Sequence, residues 1–267
     1  MKQHLKNILL AFFLLFLAAC KSEEILGPDE TYEEYTVVQG VIEAGKYFPS
    51  VRFTKTLPLG IPYDIQKAEL KNVTAYVVKN EVQVIPLIYT SEGLYKPLYD
   101  FYTEEGETYE LFAESDGKYI YGKTIIPYTP EVSNVYYHGG DFYLAADVKT
   151  KNDEVYCALW TIFGNPYAEA DDFYSVSNPS SLPNNTISVR TSAIPESYRS
   201  PSYSESRYIQ VFAFDKSFRK YFYSRNSGSD INDPFIQGGG KIEWNMQGDK
   251  VIGMFIGYAA SDKIKAD

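Results

Sequence analysis

Few side chains in this sequence are placed to do chemistry, and their spacing limits what each can do. Of the two cysteines, Cys20 follows Leu17-Ala18-Ala19, where small residues end an apolar run, and precedes the charged stretch Lys21-Ser22-Glu23-Glu24. A thiol behind small residues at such a boundary is placed for processing and acylation. That leaves Cys157 without an intramolecular partner, so no disulfide framework is possible. Cys157 lies in the apolar run Val155-Tyr156-Cys157-Ala158-Leu159-Trp160, where a lone cysteine reads as a small core residue. No histidine lies near it in sequence to activate it as a nucleophile. His138 is the only histidine beyond residue 19, which excludes a histidine metal cluster and strains any His-based triad.

The carboxylates offer little more. Asp230-Ile231-Asn232-Asp233 alternates oxygen ligands but lacks the glycine and the distant bidentate glutamate of a calcium loop, so it reads as a solvated turn. Asp171-Asp172 and Glu104-Glu105 are adjacent pairs, which on a strand point to opposite faces and do not form an acid/base couple. Gly238-Gly239-Gly240 has no following Lys-Ser/Thr and helix, so it is not a phosphate loop. No catalytic constellation emerges, and neither a cofactor nor a metal is expected.

The elements that must carry these residues begin with an address. Lys2 and Lys6 form a positive n-region, Ile8 to Ala19 an apolar h-region of 12 residues, and the small residues before Cys20 a cleavage site, so residues 1–19 read as a signal peptide. A helix of that length spans roughly 18 Å, too little for a hydrocarbon core about 30 Å thick. Leu-Ala-Ala-Cys is similar to the bacterial lipobox, which implies that Cys20 carries acyl chains and anchors the protein in outer-membrane lipid. Two or more such chains hold a soluble body stably at about 0.8 kcal/mol per buried methylene. Lys21, Ser22, Glu23 and Glu24 resemble the acidic export signal of Bacteroidota lipoproteins, which implies exposure on the extracellular side of the outer membrane. The alternative is that residues 20–34 are only a solvated, flexible linker.

Removing residues 1–19 takes Lys2 and Lys6 from the 25 basic residues, and against 35 acidic ones the formal net charge moves from −10 to −12. Such a body is repelled by nucleic acid, which is excluded as a partner. The 25 tyrosines and 16 phenylalanines suit half-buried strand faces, so an all-β fold is expected.

An N-terminal β-sandwich is expected over residues 35–126. Its strand-like runs are Tyr35 to Ile42, Val51 to Thr54, Asn72 to Val78, Glu81 to Leu87, Gly93 to Tyr95, Thr108 to Glu114 and Lys118 to Lys123. Lys79-Asn80 and Asp116-Gly117 are its candidate tight turns, and Pro86 suggests an edge or a strand end. Residues 127–131 form a proline-rich link, and a second β-rich domain follows over 132–267. Its expected strands are Val132 to Tyr137, Asp141 to Val148, Val155 to Phe163, Tyr208 to Phe214, Lys241 to Trp244 and Val251 to Tyr258. After Asp215 the spacing of Phe214, Phe218, Tyr221 and Phe222 predicts one short helix with a core-facing stripe. Residues 164–206 are interrupted by five prolines and read as an irregular excursion. It presents Tyr167, Phe173, Tyr174, Tyr198 and Tyr203 for ligand or partner contact, or packs them onto the second domain.

The order of these pieces resembles the Bacteroidota lipoprotein family catalogued as domain of unknown function 4249. The matching pieces include Val37-Val38-Gln39-Gly40-Val41-Ile42, Lys67 to Tyr76, Gly93-Leu94-Tyr95, Gly106 to Leu111, Asp116 to Tyr119, Asp233-Pro234-Phe235 and Val251-Ile252-Gly253-Met254-Phe255. Gly240 to Asn245 departs from the family's shorter segment. The resemblance implies a transthyretin-like or carboxypeptidase-regulatory-like first sandwich and a second β-rich domain. It also implies a TonB-dependent outer-membrane receptor as partner, and it carries over no catalytic residue. The function expected is non-enzymatic accessory binding in nutrient capture; the alternatives are an adhesive or structural envelope module and a cryptic carboxylate-dependent hydrolase. External protease added to intact cells is expected to digest the protein, and complete protection until the outer membrane is broken overturns surface exposure.

Overall fold

The computed structural model describes residues 32–58, 60–151, 154–177, 186–226 and 242–267. The signal peptide, Cys20 and its export signal, the Asp230 to Asp233 turn, Asp233-Pro234-Phe235 and Gly238 to Gly240 lie outside the described residues. Before the proline link come β1 (Thr36–Glu43), β2 (Val51–Lys55), α1 (Ile65–Ala68), β3 (Thr74–Lys79), β4 (Gln83–Ser91), β5 (Leu94–Pro97), β6 (Thr108–Ser115) and β7 (Lys118–Ile125). After it come β8 (Glu131–His138), β9 (Tyr143–Lys149), β10 (Val155–Ile162), β11 (Thr186–Arg190), β12 (Arg207–Phe214), α2 (Ser217–Asn226), β13 (Met246–Gly248), β14 (Val251–Ala260) and β15 (Ile264–Lys265). The chain is mostly β, as its aromatic and β-branched composition predicts.

One large mixed sheet runs in the order β10-β12-β14-β1-β2-β5-β4-β3-β6-β7-β13, with β15 beside β12, and a second sheet has the order β11-β9-β8. Strands on the two sides of the proline link therefore share a sheet. β14 lies parallel to β1 from Thr36↔Val251 to Glu43↔Tyr258 and antiparallel to β12. The sheet curls so that β7 meets β14, where the Gly257 amide donates to Thr124 Oγ1 at 2.7 Å.

Three apolar cores follow from period-two alternation. The first gathers Val38, Phe53, Val77, Leu111 and Ile120 with Met246 and Phe255 from far along the chain. β10 is buried on both faces: Tyr156, Ala158, Trp160 and Ile162 enter a second core, while Val155 and Cys157 enter a third against α2. β14 likewise sends Phe255 into the first core and Ile256 into the third.

Local chemistry sets the turns. The β3–β4 hairpin forms, but its turn is the three residues Asn80 to Val82, since Lys79 pairs with Gln83; Asn80 and Glu81 both have positive φ. Asp116 and Gly117, at φ 51° and 74°, make the two-residue turn expected between β6 and β7. Pro86 is neither at an edge nor at a strand end, because β4 lies between β3 and β5 and continues to Ser91. It is tolerated because its nitrogen faces the end of β5, on the side where the Pro86 carbonyl accepts from the Leu98 amide at 2.9 Å. The strand expected at Lys241 to Trp244 is also corrected. Ile242 to Trp244 are irregular, and pairing begins at Met246, opposite Gly122.

The proline link is pinned at its centre. Tyr128 N donates to Glu154 Oε1 at 2.8 Å, Thr129 N donates to Glu105 Oε1 at 2.8 Å, and Tyr156 OH donates to Glu154 Oε2 at 2.6 Å. Burial pushes the Glu154 carboxyl above its ordinary pKa, outweighing the hydrogen bonds from Tyr156 and Tyr128 that favour its charged form.

The approach of β1 and β14 depends on Gly253, which has φ 123°; a Cβ there would fall 1.9 Å from Val38 O. Gly253→Ala is expected to lower stability by about 2–4 kcal/mol, whereas Gly117→Ala, with open space around it, costs about 1 kcal/mol. Urea denaturation of both variants checks the difference, and equal losses overturn it.

Candidate binding groove

The excursion after β10 is ordered where described, and pairing explains its shape. It runs antiparallel beside the free edge of β10, meeting it at Thr161↔Glu169 and again at Tyr156↔Ser177. Ala170 N donates to Trp160 O at 2.9 Å, and Ser177 N to Tyr156 O at 2.8 Å. Between those anchor points β10 advances four residues and the excursion seven, so Asp171 to Val176 loop away from the edge. At its two anchor points the same pairing covers backbone groups of Tyr156, Trp160 and Ile162 on the free edge of β10.

The loop borders a groove of about 1050 Å³, lined by Trp160, Tyr167, Asp171 to Ser175, Tyr198 and the α2 residues Phe222 and Tyr223, among others. Four of the five aromatic residues singled out from the sequence, Tyr167, Phe173, Tyr174 and Tyr198, therefore line one groove; Tyr203 does not. They differ in role. Tyr167 is 91% exposed and Tyr174 52%, while Phe173 anchors the loop against Phe212, Phe214 and Phe218 with ring centroids 5.5, 5.7 and 6.1 Å away. Tyr198 and Tyr203 meet edge to face at 5.5 Å and pack onto the second core. Exposed contact and core packing, the two alternatives for these rings, are thus divided among them.

Cations and hydrogen bonds hold the lining in place. Arg190 on β11 lies 4.0 Å over the Tyr174 ring, and Arg225 on α2 pairs with Asp172 at 2.8 Å. Trp160 Nε1 donates to Ser192 Oγ at 3.1 Å. Below Tyr198, the buried Arg207 guanidinium donates from Nη2 to the carbonyls of Tyr198, Arg199 and Ser200 and lies 4.1 Å over the Tyr137 ring. It thereby fixes the 3₁₀ turn Glu196–Tyr198 and its exit.

Asp171 and Asp172 both line the groove because their segment is a bend rather than a strand. Glu105 instead ties down Thr129 at the link. Cys157 is fully buried in the third core, and burial, reinforced by the Asp172 charge, raises its thiol pKa well above the ordinary value, which suppresses the thiolate. His138 lies apart, its Nδ1 3.3 Å from Asp141 and its ring stacked 4.8 Å from Tyr143. Among the described residues no three His, Cys, Asp or Glu side chains are grouped to hold a metal ion.

Three contributors carry no functional signal in the sequence: Trp160 stands in an apolar core strand, Tyr223 follows the helical stripe without belonging to it, and Glu169 belongs to no motif. β11 was hidden within the excursion, although Thr186-Ile187-Ser188-Val189-Arg190 alternates with Ile187 and Val189 buried. No family model matches the chain, and no curated protein is significantly similar to it.

Phe173→Ala is expected to cost about 2 kcal/mol or more by emptying ring contacts, while Tyr167→Ala stays within about 0.5 kcal/mol. Denaturation midpoints at constant slope check this, and a neutral Phe173→Ala overturns the anchoring role.

Proposed function

We propose that this protein is a surface-exposed outer-membrane lipoprotein, anchored through acylated Cys20, that acts as a non-enzymatic binding partner of a TonB-dependent transporter in nutrient capture. The observation that carries this reading is the convergence of Tyr167, Phe173, Tyr174 and Tyr198 on one groove. Its volume of about 1050 Å³ suits a small ligand or a few residues of chain, since ligand pockets are about 300–1,000 Å³. Exposed tyrosines on a pinned loop offer large amphipathic area at low entropic cost. The transporter pairing and the surface address draw on the family resemblance and on the residues around Cys20. On the same resemblance, β1 to β7, completed by β13 and β14, are read as the transthyretin-like sandwich, with the rest as the second β-rich domain.

An adhesive or structural role is the second reading. It is favoured by the outer face of the first sheet, where Pro86, Tyr76, Phe112 and Tyr121 stand in register across β4, β3, β6 and β7. Tyr76 stacks on Phe112 at 5.2 Å, and Tyr76, Val84 and Ile88 are exposed. A row of apolar side chains exposed at Pro86 and Tyr76 and half-buried at Phe112 and Tyr121, flanked by exposed Val84 and Ile88, is read as an interaction surface.

Purification of the native lipidated protein from detergent extracts is expected to recover a large β-barrel receptor in stoichiometric amount. Repeated recovery of the protein alone, together with altered surface attachment and unchanged growth on loss of the gene, overturns the transport reading in favour of the adhesive one.

A further inference from the structure

The binding reading leaves the chemical class of the groove's occupant open, and the lining narrows it. Glu169, Asp171 and Asp172 supply three carboxylates, and the lining contains no lysine, arginine or histidine. Asp172 is held by Arg225, but neither Glu169 nor Asp171 has a side-chain hydrogen-bond or ion-pair partner among the described residues. The carboxylates are not gathered for a metal ion. Glu169 and Asp171, two separate negative charges without a counter-ion among the described residues, stand among aromatic rings and fit a partner that presents positive charges at intervals.

The chain already shows what such a surface attracts, because its own guanidinium groups occupy the same kinds of seat. Arg190 lies 4.0 Å over Tyr174, Arg219 lies 5.7 Å over Tyr223, and Arg225 meets Asp172 at 2.8 Å. Each is a cation placed on a ring or carboxylate of the groove. The rings of Tyr167 and Tyr198 and the carboxylates of Glu169 and Asp171 remain as seats without a cation of the protein's own among the described residues, while Trp160, 4% exposed, belongs to the core. The net charge of −12 past residue 19 adds a field that concentrates cations near the body.

We propose that the groove binds a peptide carrying lysine or arginine side chains, with the cationic heads at Glu169 and Asp171 and their stems along Tyr167 and Tyr198. This assignment rests on the reading of the groove as a binding site. Its volume exceeds that of any one side chain, so several residues of an extended segment enter together. A neutral glycan would also stack on the rings, but it would leave Glu169 and Asp171 without the kind of counter-charge that Arg225 gives Asp172.

Fluorescence anisotropy of the full-length protein in neutral detergent tests the class. The probes are labelled octapeptides of alternating lysine and glycine and of alternating glutamate and glycine, and fluorescently labelled maltohexaose. The lysine peptide is expected to bind and the glutamate peptide not to bind. Affinity is expected to fall as ionic strength rises and to drop about tenfold in the doubly substituted Glu169→Gln, Asp171→Asn protein and in Tyr167→Ala. These exposed positions leave the fold intact, which unchanged denaturation midpoints verify. Equal binding of both peptides, or lysine-peptide binding indifferent to the substitutions, overturns the proposal. No binding of the lysine peptide together with Tyr167-dependent binding of labelled maltohexaose overturns the ligand class and leaves the binding site standing. Lysine-peptide binding with no receptor recovered from native extracts supports the ligand class and overturns only the transporter partnership.

Discussion

The pairing of β14 with β1 is the constraint on which the rest of the structure depends. β1 is the first strand of the described chain and β14 nearly the last, yet they run in parallel register over eight residues. This is a long-range contact, formed against the full loop-closure entropy of the intervening chain. It is possible only because Gly253 lets the two backbones approach where any side chain would meet Val38 O. Once formed, β14 joins the first core through Phe255 and the third through Ile256, and carries β12, and through it β10, into the same sheet. The groove lies along the far edge of that β10, so its position is set by this strand order.

A second regularity is how the tyrosines are buried. Tyr89, Tyr109, Tyr121, Tyr156 and Tyr258 each donate a hydroxyl hydrogen bond to a glutamate, respectively Glu69, Glu107, Glu110, Glu154 and Glu43. A phenol needs a partner for its hydroxyl when its ring is taken from water, and a carboxylate at the margin of the core supplies a strong one. Burial, then the hydrogen bond to the neighbouring carboxylate, pushes Tyr121 and Tyr258 up to about 12. On the glutamate side, the Tyr121 hydrogen bond, joined by Lys123, holds Glu110 below the usual carboxylate range. A sequence rich in both tyrosine and acid thus stabilises its aromatic cores with part of its negative charge.

Local pattern made much of this legible. Alternation located β3, and strand-like or apolar runs located β1, β6, β7, β10 and β12, each to within a residue or two, and Asp116-Gly117 specified its turn because only two residues with positive φ close that hairpin. The helix after Asp215 was visible because its aromatic spacing matches a helical turn; Asp215 Oδ1 indeed accepts from Ser217 N at 2.8 Å. Strand order was not legible. Nothing local in Val251 to Tyr258 says that it pairs in parallel with Val37 to Ile42, since that choice is made by tertiary fit at Gly253. Of the groove, the aromatic residues were visible by composition, whereas Trp160 was concealed in a fully apolar strand. Glu169 and Asp171 acquire meaning only when the seven-residue excursion is laid against four residues of β10.

The parallel register of β1 and β14 also determines how the protein would carry a mechanical load. If the chain is held at Cys20, a pull on the body reaches it through the start of β1, directed along the strand. β14 is held from its other side by β12, so the β1–β14 ladder is loaded in shear, with its hydrogen bonds strained together rather than peeled one at a time. Forced unfolding is governed by the barrier to rupture, and a ladder that must break all at once raises that barrier. Under such a load the ladder of β1 with β14 would resist first, and the groove along β10, three strands from β1 in the sheet order, would lie out of the line of force.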